Sequence, residues 1–263
     1  MFKLSFRLPF TSSTFAKTLG LVLTLALPTV TFANPFGMGA SVHGYAQAVG
    51  TVLASCSDSG TSAACSATAT GILLGNPVTA FVTLRGSADY GGSVFVDATA
   101  YSPYGNFQVE ANSGFSDTLT IFGGSGNGYI SYLVDGTIIN IADFGGSGFL
   151  INGQGLSAMG SENAHFSFHY QTAFAEFTFG VPFGIGMSAF ASTGAGFGGF
   201  GEGLAEANID GITILDQNQE PFTDYTIESA SGATYPLPEP SSVVLLGTLA
   251  ALLGGMSYKK IRR

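Results

Sequence analysis

Between Asn34 and Pro236 the chain alternates apolar and polar residues. In Val78-Thr79-Ala80-Phe81-Val82-Thr83-Leu84-Arg85, the residues Val78, Ala80, Val82 and Leu84 share one face, while Thr79, Thr83 and Arg85 lie opposite. Phe115-Ser116-Asp117-Thr118-Leu119-Thr120-Ile121 behaves likewise, with Phe115, Leu119 and Ile121 on one side. A period of two marks a strand with one buried face. The same reading predicts strands over 42–49, 93–101, 129–134, 137–142, 164–179, 184–191, 209–215 and 225–229. Gly123-Gly124-Ser125-Gly126-Asn127-Gly128 and Gly145-Gly146-Ser147-Gly148 read as breaks between them. The stretch 179–203, built mostly of Gly, Ala, Phe and Ser, reads as a strand followed by a Gly-rich loop. No segment outside the termini shows a period of 3.6, and no internal repeat or domain boundary divides the middle. The expected fold is all-β, an antiparallel β-sandwich-like ectodomain at 34–236, with a closed barrel as the other way to join such strands.

Composition supports a packed domain. The 263 residues include 38 Gly and 23 Phe, with only 10% charged, whereas disordered chains run low in aromatics and high in charge. The placement of charge says more. Residues 34–236 hold sixteen of the seventeen acids against one cation, Arg85, a formal charge of −15. Such a surface repels a phosphate backbone, which argues against nucleic acid as a partner.

The two ends differ from the middle. Lys3, Arg7 and Lys17 precede an apolar run from Leu19 to Leu27, then Pro28 and the small-residue stretch Thr31-Phe32-Ala33. That order is a signal peptide over 1–33, read by signal peptidase and the general secretion machinery, with cleavage between Ala33 and Asn34. The apolar run falls short of the roughly 20 residues that a stable span needs. At the other end Leu237-Pro238-Glu239-Pro240 precedes an apolar stretch from Val243 to Met256. Lys259, Lys260, Arg262 and Arg263 close the chain. As a helix, 241–258 reaches about 27 Å, barely enough to cross the inner membrane. The basic cluster then forms a cytoplasmic anchor, with the ectodomain on the far side.

A Pro-Glu-Pro tripeptide, one apolar helix and a terminal basic cluster, in that order, resemble the PEP-CTERM sorting signal of bacteria that have an outer membrane and make exopolysaccharide. The resemblance places the family's motif on Pro238, Glu239 and Pro240 and makes 237–263 the sorting tail. It implies recognition by exosortase, a membrane-embedded cysteine transpeptidase that cleaves near the motif. The two prolines hold an extended segment outside the helix, and the carboxylate offers one charged handle above the bilayer. Three phrases in the body are similar to other ectodomains of this family: 115–121, Phe179-Gly180-Val181-Pro182-Phe183, and the closing Ile227-Glu228-Ser229-Ala230-Ser231-Gly232-Ala233-Thr234-Tyr235. The family has no single activity, so the likeness speaks to architecture and destination.

Candidate chemistry is sparse. Cys56 and Cys65 are the only cysteines, and an even pair in an exported chain is expected to form a disulfide, here pinning an exposed loop. His165 and His169 have helical metal spacing, but the interleaved Phe166, Phe168 and Tyr170 make the segment a strand. Residues four apart on a strand sit about 13 Å from each other, too far for one ion. Gly194, Gly196 and Gly199 match a dinucleotide fingerprint by letter but lack the helix that it requires. Asp89, Asp97, Asp117, Asp135 and Asp143 read as strand-face and turn aspartates rather than a glycosidase pair or a calcium site. No catalytic residue, metal site or cofactor is expected. The leading expectation is a non-enzymatic surface or extracellular-matrix protein associated with exopolysaccharide. A carbohydrate-binding module, stacking sugars on Tyr101, Tyr104, Tyr129 and Tyr132, is the second. An outer-membrane β-barrel is the third, disfavoured by the apolar tail.

Overall fold

The structure is a computed structural model that describes residues 37–48, 53–160, 163–195 and 198–236. The segment expected to be a signal peptide, with its Ala33–Asn34 junction, lies outside the described residues. So do Pro238, Glu239, Pro240, the apolar stretch expected to form a tail helix and the basic cluster at Lys259, Lys260, Arg262 and Arg263.

Among the described residues every regular element is a strand, fourteen in all. The first sheet contains β1 (Gly37–Gln47), β2 (Leu53–Gly60), β6 (Phe107–Phe122), β8 (Phe144–Ile151), β9 (Gln154–Met159), β12 (Phe183–Ala195) and β14 (Thr226–Ser229). The second contains β3 (Ser62–Leu73), β4 (Asn76–Asp89), β5 (Ser93–Ser102), β7 (Asn127–Ile141), β10 (Ala164–Gln171), β11 (Ala175–Thr178) and β13 (Gly199–Leu215). Their orders are β2-β1-β6-β12-β8-β9, with β14 on β6, and β10-β7-β13-β5-β4-β3, with β11 on β7. Every neighbouring pair is antiparallel.

The alternation decides which faces meet. Ala80, Val82 and Leu84 of β4 are buried, as are Phe115, Leu119 and Ile121 of β6. Across the interior Phe149 of β8 stacks on Phe168 of β10 at 4.7 Å, and Tyr90 meets Phe115 edge-on at 6.3 Å. Thr83, Thr99, Glu202, Asp135 and His169 face outward on the second sheet, and His43 and Glu110 do so on the first. The interior is apolar, and the charged side chains on both outer faces contrast with the apolar band that a membrane barrel turns to lipid. The fold is β-sandwich-like, built from two sheets.

Much of the interior is narrow. Ala98, Ala100, Ala111, Ala191, Ala205 and Ala207 are all fully buried. At Gly203 of β13 an added Cβ would lie 2.8 Å from the Ser147 hydroxyl oxygen and 3.3 Å from the Ala191 Cβ, both on the opposite sheet. Glycine is needed there because the sheets come within side-chain contact of one another's backbone.

Several strand boundaries differ from the sequence reading. The Gly145–Gly148 run is no break but the start of β8, paired with β12 and β9. The Gly-rich loop expected before 203 is already β13 from Gly199 onward. Segments 129–134 and 137–142 join into one strand, β7. Gly136 sits in its middle because a Cβ there would run into the Glu206 carbonyl oxygen of β13, with the Phe168 ring 2.6 Å away as well. The expected strand 164–179 divides into β10 and β11 around Thr172, whose side-chain oxygen accepts from the Tyr132 N–H at 2.9 Å.

The cysteine stretch is no loop either. It forms β2 and β3, the edge strands of opposite sheets, and Cys56 and Cys65 join them with Cα atoms 5.9 Å apart. The Asp58 carboxylate adds a second tie across the same corner, accepting from the Ala64 N–H at 2.9 Å. Closing a loop this short stabilises by about 2–3 kcal/mol on chain-entropy grounds. Replacing both cysteines by serine should therefore lower the melting temperature by several degrees and leave the circular dichroism of a β protein. Native protein treated with an alkylating agent before and after reduction should reveal two protected thiols, and two free thiols would refute the bridge.

Candidate functional site

Among the described residues the one carboxylate drawn into the interior is that of Asp117, in β6. Its position follows from strand parity. Phe115, Asp117, Leu119 and Ile121 occupy alternate positions, so all four point between the sheets. A charge in that setting is costly unless donors surround it.

The donors come from the end of the described chain. Beyond β13, the Asp216 carboxylate accepts from the N–H groups of Asn218 and Glu220 at 2.8 and 3.0 Å, which turns the chain back. Phe222 then packs edge-on against Phe179 at 5.2 Å. Next β14 adds to β6, with Thr226 opposite Phe122 and Ser229 opposite Leu119. It lies along the same edge of β6 that β1 occupies further back, from Phe107 to Ser116. The Ala230 N–H extends the pairing to the Thr118 carbonyl at 2.9 Å. A turn at Gly232, with φ of 79°, then carries the chain toward Tyr235.

This path delivers four donors to one side chain, and β6 itself supplies a fifth. The Thr118 and Ser231 N–H groups donate to Oδ1 at 2.7 and 3.2 Å. The hydroxyls of Ser229, Ser231 and Tyr235 donate to Oδ2 at 2.6, 2.7 and 3.0 Å. Burial by itself pushes the Asp117 carboxyl up, but donation from Ser229, Ser231, the Thr118 N–H and Tyr235 outweighs it. The group therefore sits below the usual carboxylate range. Tyr235 is buried, and burial together with the Asp117 charge holds its hydroxyl far above the ordinary tyrosine value.

Two of the three body phrases quoted above, 115–121 and 227–235, thus form one structure. Sequence reasoning set Asp117 among turn and strand-face aspartates. The parity it shares with Phe115 and Leu119 was the signal that it points inward. A carboxylate has about four lone-pair sites, and here five donors occupy them, so Asp117 is a fastener rather than a proton acceptor. It clasps the last strand to the sandwich at Tyr235, one residue before the described chain ends at Pro236.

The remaining candidates are dispersed. Asp97 and Asp135 face outward on the second sheet, while Asp89 and Asp143 are exposed at strand ends. His165 and His169 are exposed on one face of β10, opposite Ile139 and Asp135. His169 pairs with Asp135. No group of three or more metal-ligating side chains occurs among the described residues. Gly194 lies in β12 and Gly199 opens β13, so neither precedes a helix. Of the four tyrosines considered for sugar stacking, Tyr132 is buried, with burial holding its hydroxyl above the ordinary tyrosine range, and cannot serve. Tyr101 and Tyr129 are half-buried, and Tyr104 is exposed.

No protein-family model, curated protein or solved structure matches this chain.

Replacing Asp117 by alanine strands the buried Tyr235 hydroxyl and the half-buried Ser229 and Thr118 donors, and is expected to cost about 2–3 kcal/mol, read as a lower urea midpoint. Asp117→Asn should cost less, because its amide oxygen still accepts. The folded carboxyl titrates below its unfolded value of about 3.9, so its contribution is whole above that pH. It drains away as pH falls through the folded value. Tyr235 titrates above its unfolded value of about 10, so its contribution is whole below that pH and declines as pH rises further. An acid limb of the stability profile that is the same in Asp117→Asn as in wild type would rule out a charged clasp.

Proposed function

We propose that this chain is an exported, non-enzymatic surface or extracellular-matrix protein that passes through the inner membrane as a tethered precursor and is sorted by exosortase. The observation that carries this reading is the ordered C-terminal tail. Pro238, Glu239 and Pro240 precede one apolar segment, and Lys259, Lys260, Arg262 and Arg263 close the chain. The signal peptide at 1–33 supplies the matching orientation, with release at Ala33–Asn34. Two features of the folded body support it. The Cys56–Cys65 disulfide suits an oxidising compartment outside the cytoplasm. The Asp117 clasp fastens the last described strand a few residues ahead of the tripeptide, so a cut there would spare the sandwich.

The mechanism needs little from the body. Two prolines keep 238–240 out of the helix, and Glu239 presents a charge at a fixed height above the bilayer. After cleavage the helix and basic cluster stay behind, and the acidic ectodomain, at −15 over 34–236, leaves for the surface or the exopolysaccharide matrix.

Replacing Pro238, Glu239 and Pro240 together by alanine tests this. Export should continue, because the signal peptide is untouched, while processing at the other end should fail. Fractionation with an anti-tail antibody should find full-length mutant at the inner membrane and tail-free wild type outside. Equal release of both forms would leave an ordinary tail anchor clipped by some other protease.

A further inference from the structure

The outer face of the second sheet carries an aromatic row that crosses three strands. Phe81 of β4 pairs in register with Tyr101 of β5, and Tyr101 with Phe200 of β13. The three alternate with buried Ala80, Ala100 and Gly201, so their rings stand on the solvent side. Phe200 is 47% exposed, and Phe81 and Tyr101 have ring centroids 5.9 Å apart with their planes tilted by 31°. Beside the row, the loop after β5 holds Tyr104 at 60% exposure and meets the start of β13 through the Gly198 N–H and the Gly105 carbonyl at 2.6 Å.

The next row along the same face is polar, and the one after it pairs Arg85 and Asp97 with Leu204 of β13. Thr99 of β5 lies between Thr83 of β4 and Glu202 of β13. Beyond them Arg85 faces Asp97 at 3.9 Å, and the Thr99 hydroxyl donates to Asp97 at 3.2 Å. Apolar rings beside a bank of hydroxyls and carboxylates match the two-sidedness of a sugar, which offers C–H faces to aromatics and hydroxyls to acceptors. Successive strands are about 4.8 Å apart, so a linear chain laid across them meets one ring after another. Charge decides the class of sugar. Glu202, Asp97 and Glu206 line this face against one cation, Arg85, which Asp97 already engages. A uronate or sulfated chain would be repelled.

We infer that Phe81, Tyr101 and Phe200, with Thr83, Thr99 and Glu202 beside them, form a binding face for a neutral polysaccharide. This deepens the association with exopolysaccharide proposed above and rests on that reading for its biological setting. Its test does not involve the tail, so the two can fail separately.

The full-length chain, purified in mild detergent, is run through native gels containing hydroxyethylcellulose, a soluble neutral glucan, or alginate, an anionic polyuronate. Retardation is expected in the neutral glucan and not in alginate. Phe200→Ala and Tyr101→Ala should each weaken it about five- to tenfold. Tyr101→Phe, which keeps the ring and spares the fold, should retain most of it, and Tyr45→Ala on the opposite sheet should change nothing. Unfolding midpoints of each variant separate a lost site from a lost fold. The inference is overturned by an absence of retardation in the neutral glucan, by stronger retardation in alginate, or by Phe200→Ala binding as wild type does. Self-association that Phe200→Ala abolishes would also overturn it, by making the face a contact between copies of the chain.

Discussion

A carboxylate enters the gap between two apolar sheets only with its donors already assigned, and in this protein that condition organises the end of the chain. Asp117 lies on β6, which β12 borders on one side and β1 and β14 share on the other. Its inward direction is forced by the strand. Its charge then demands partners, and β6 itself supplies only the Thr118 N–H. The rest are brought from Ser229, Ser231 and Tyr235, more than a hundred residues later. A polar requirement in the core thus acts as a registration device. Slipping β14 by one residue would turn the Ser229 hydroxyl away from the carboxylate and leave the charge short of donors.

The thin interior imposes a second condition. Where Gly203 faces Ser147 and Ala191, little room remains for large side chains, so inward positions nearby are filled by Ala98, Ala191 and Ala205. Larger groups gather elsewhere. Phe149 lies between Phe168 and Tyr170, and Phe177 contacts both Phe179 and Phe183. The high glycine and phenylalanine contents are two sides of one arrangement, close approach in some places and wide filling in others.

That arrangement explains what could be read from the sequence. Strands with large inward residues, such as β4, β5 and β6, were plain because Val, Leu, Phe and Ile contrast with Thr and Ser. Edge strands β2 and β3 were hidden because their inward residues are Ala54, Ala63 and Ala69, too small to stand out in a Ser/Ala/Thr-rich stretch. The same weakness concealed the first half of β13, where Gly201, Gly203, Ala205 and Ala207 face inward. In β8 a Gly-Gly-Ser-Gly run read as a break is a strand between two others, and glycine is needed where Gly148 lies against Ser157 and the Leu156 carbonyl. The clasp was half legible: parity placed Asp117 inward, but its distant partners follow only from the path of the fold.

The clasp also bears on how a sorted protein survives its own processing. Tyr235 is buried and donates to Asp117, so the last described tie to the sandwich falls three residues before Pro238. On the proposed reading, a cut at or beyond the tripeptide leaves every one of those ties intact. Had the final strand depended on the membrane helix for its position, cleavage would have exposed the β6 edge and an interior carboxylate together. Such an edge, with unpaired backbone groups, invites pairing with other chains. Fastening β14 ahead of the tail would then separate folding from sorting, and a released ectodomain would keep this edge covered by its own last strand.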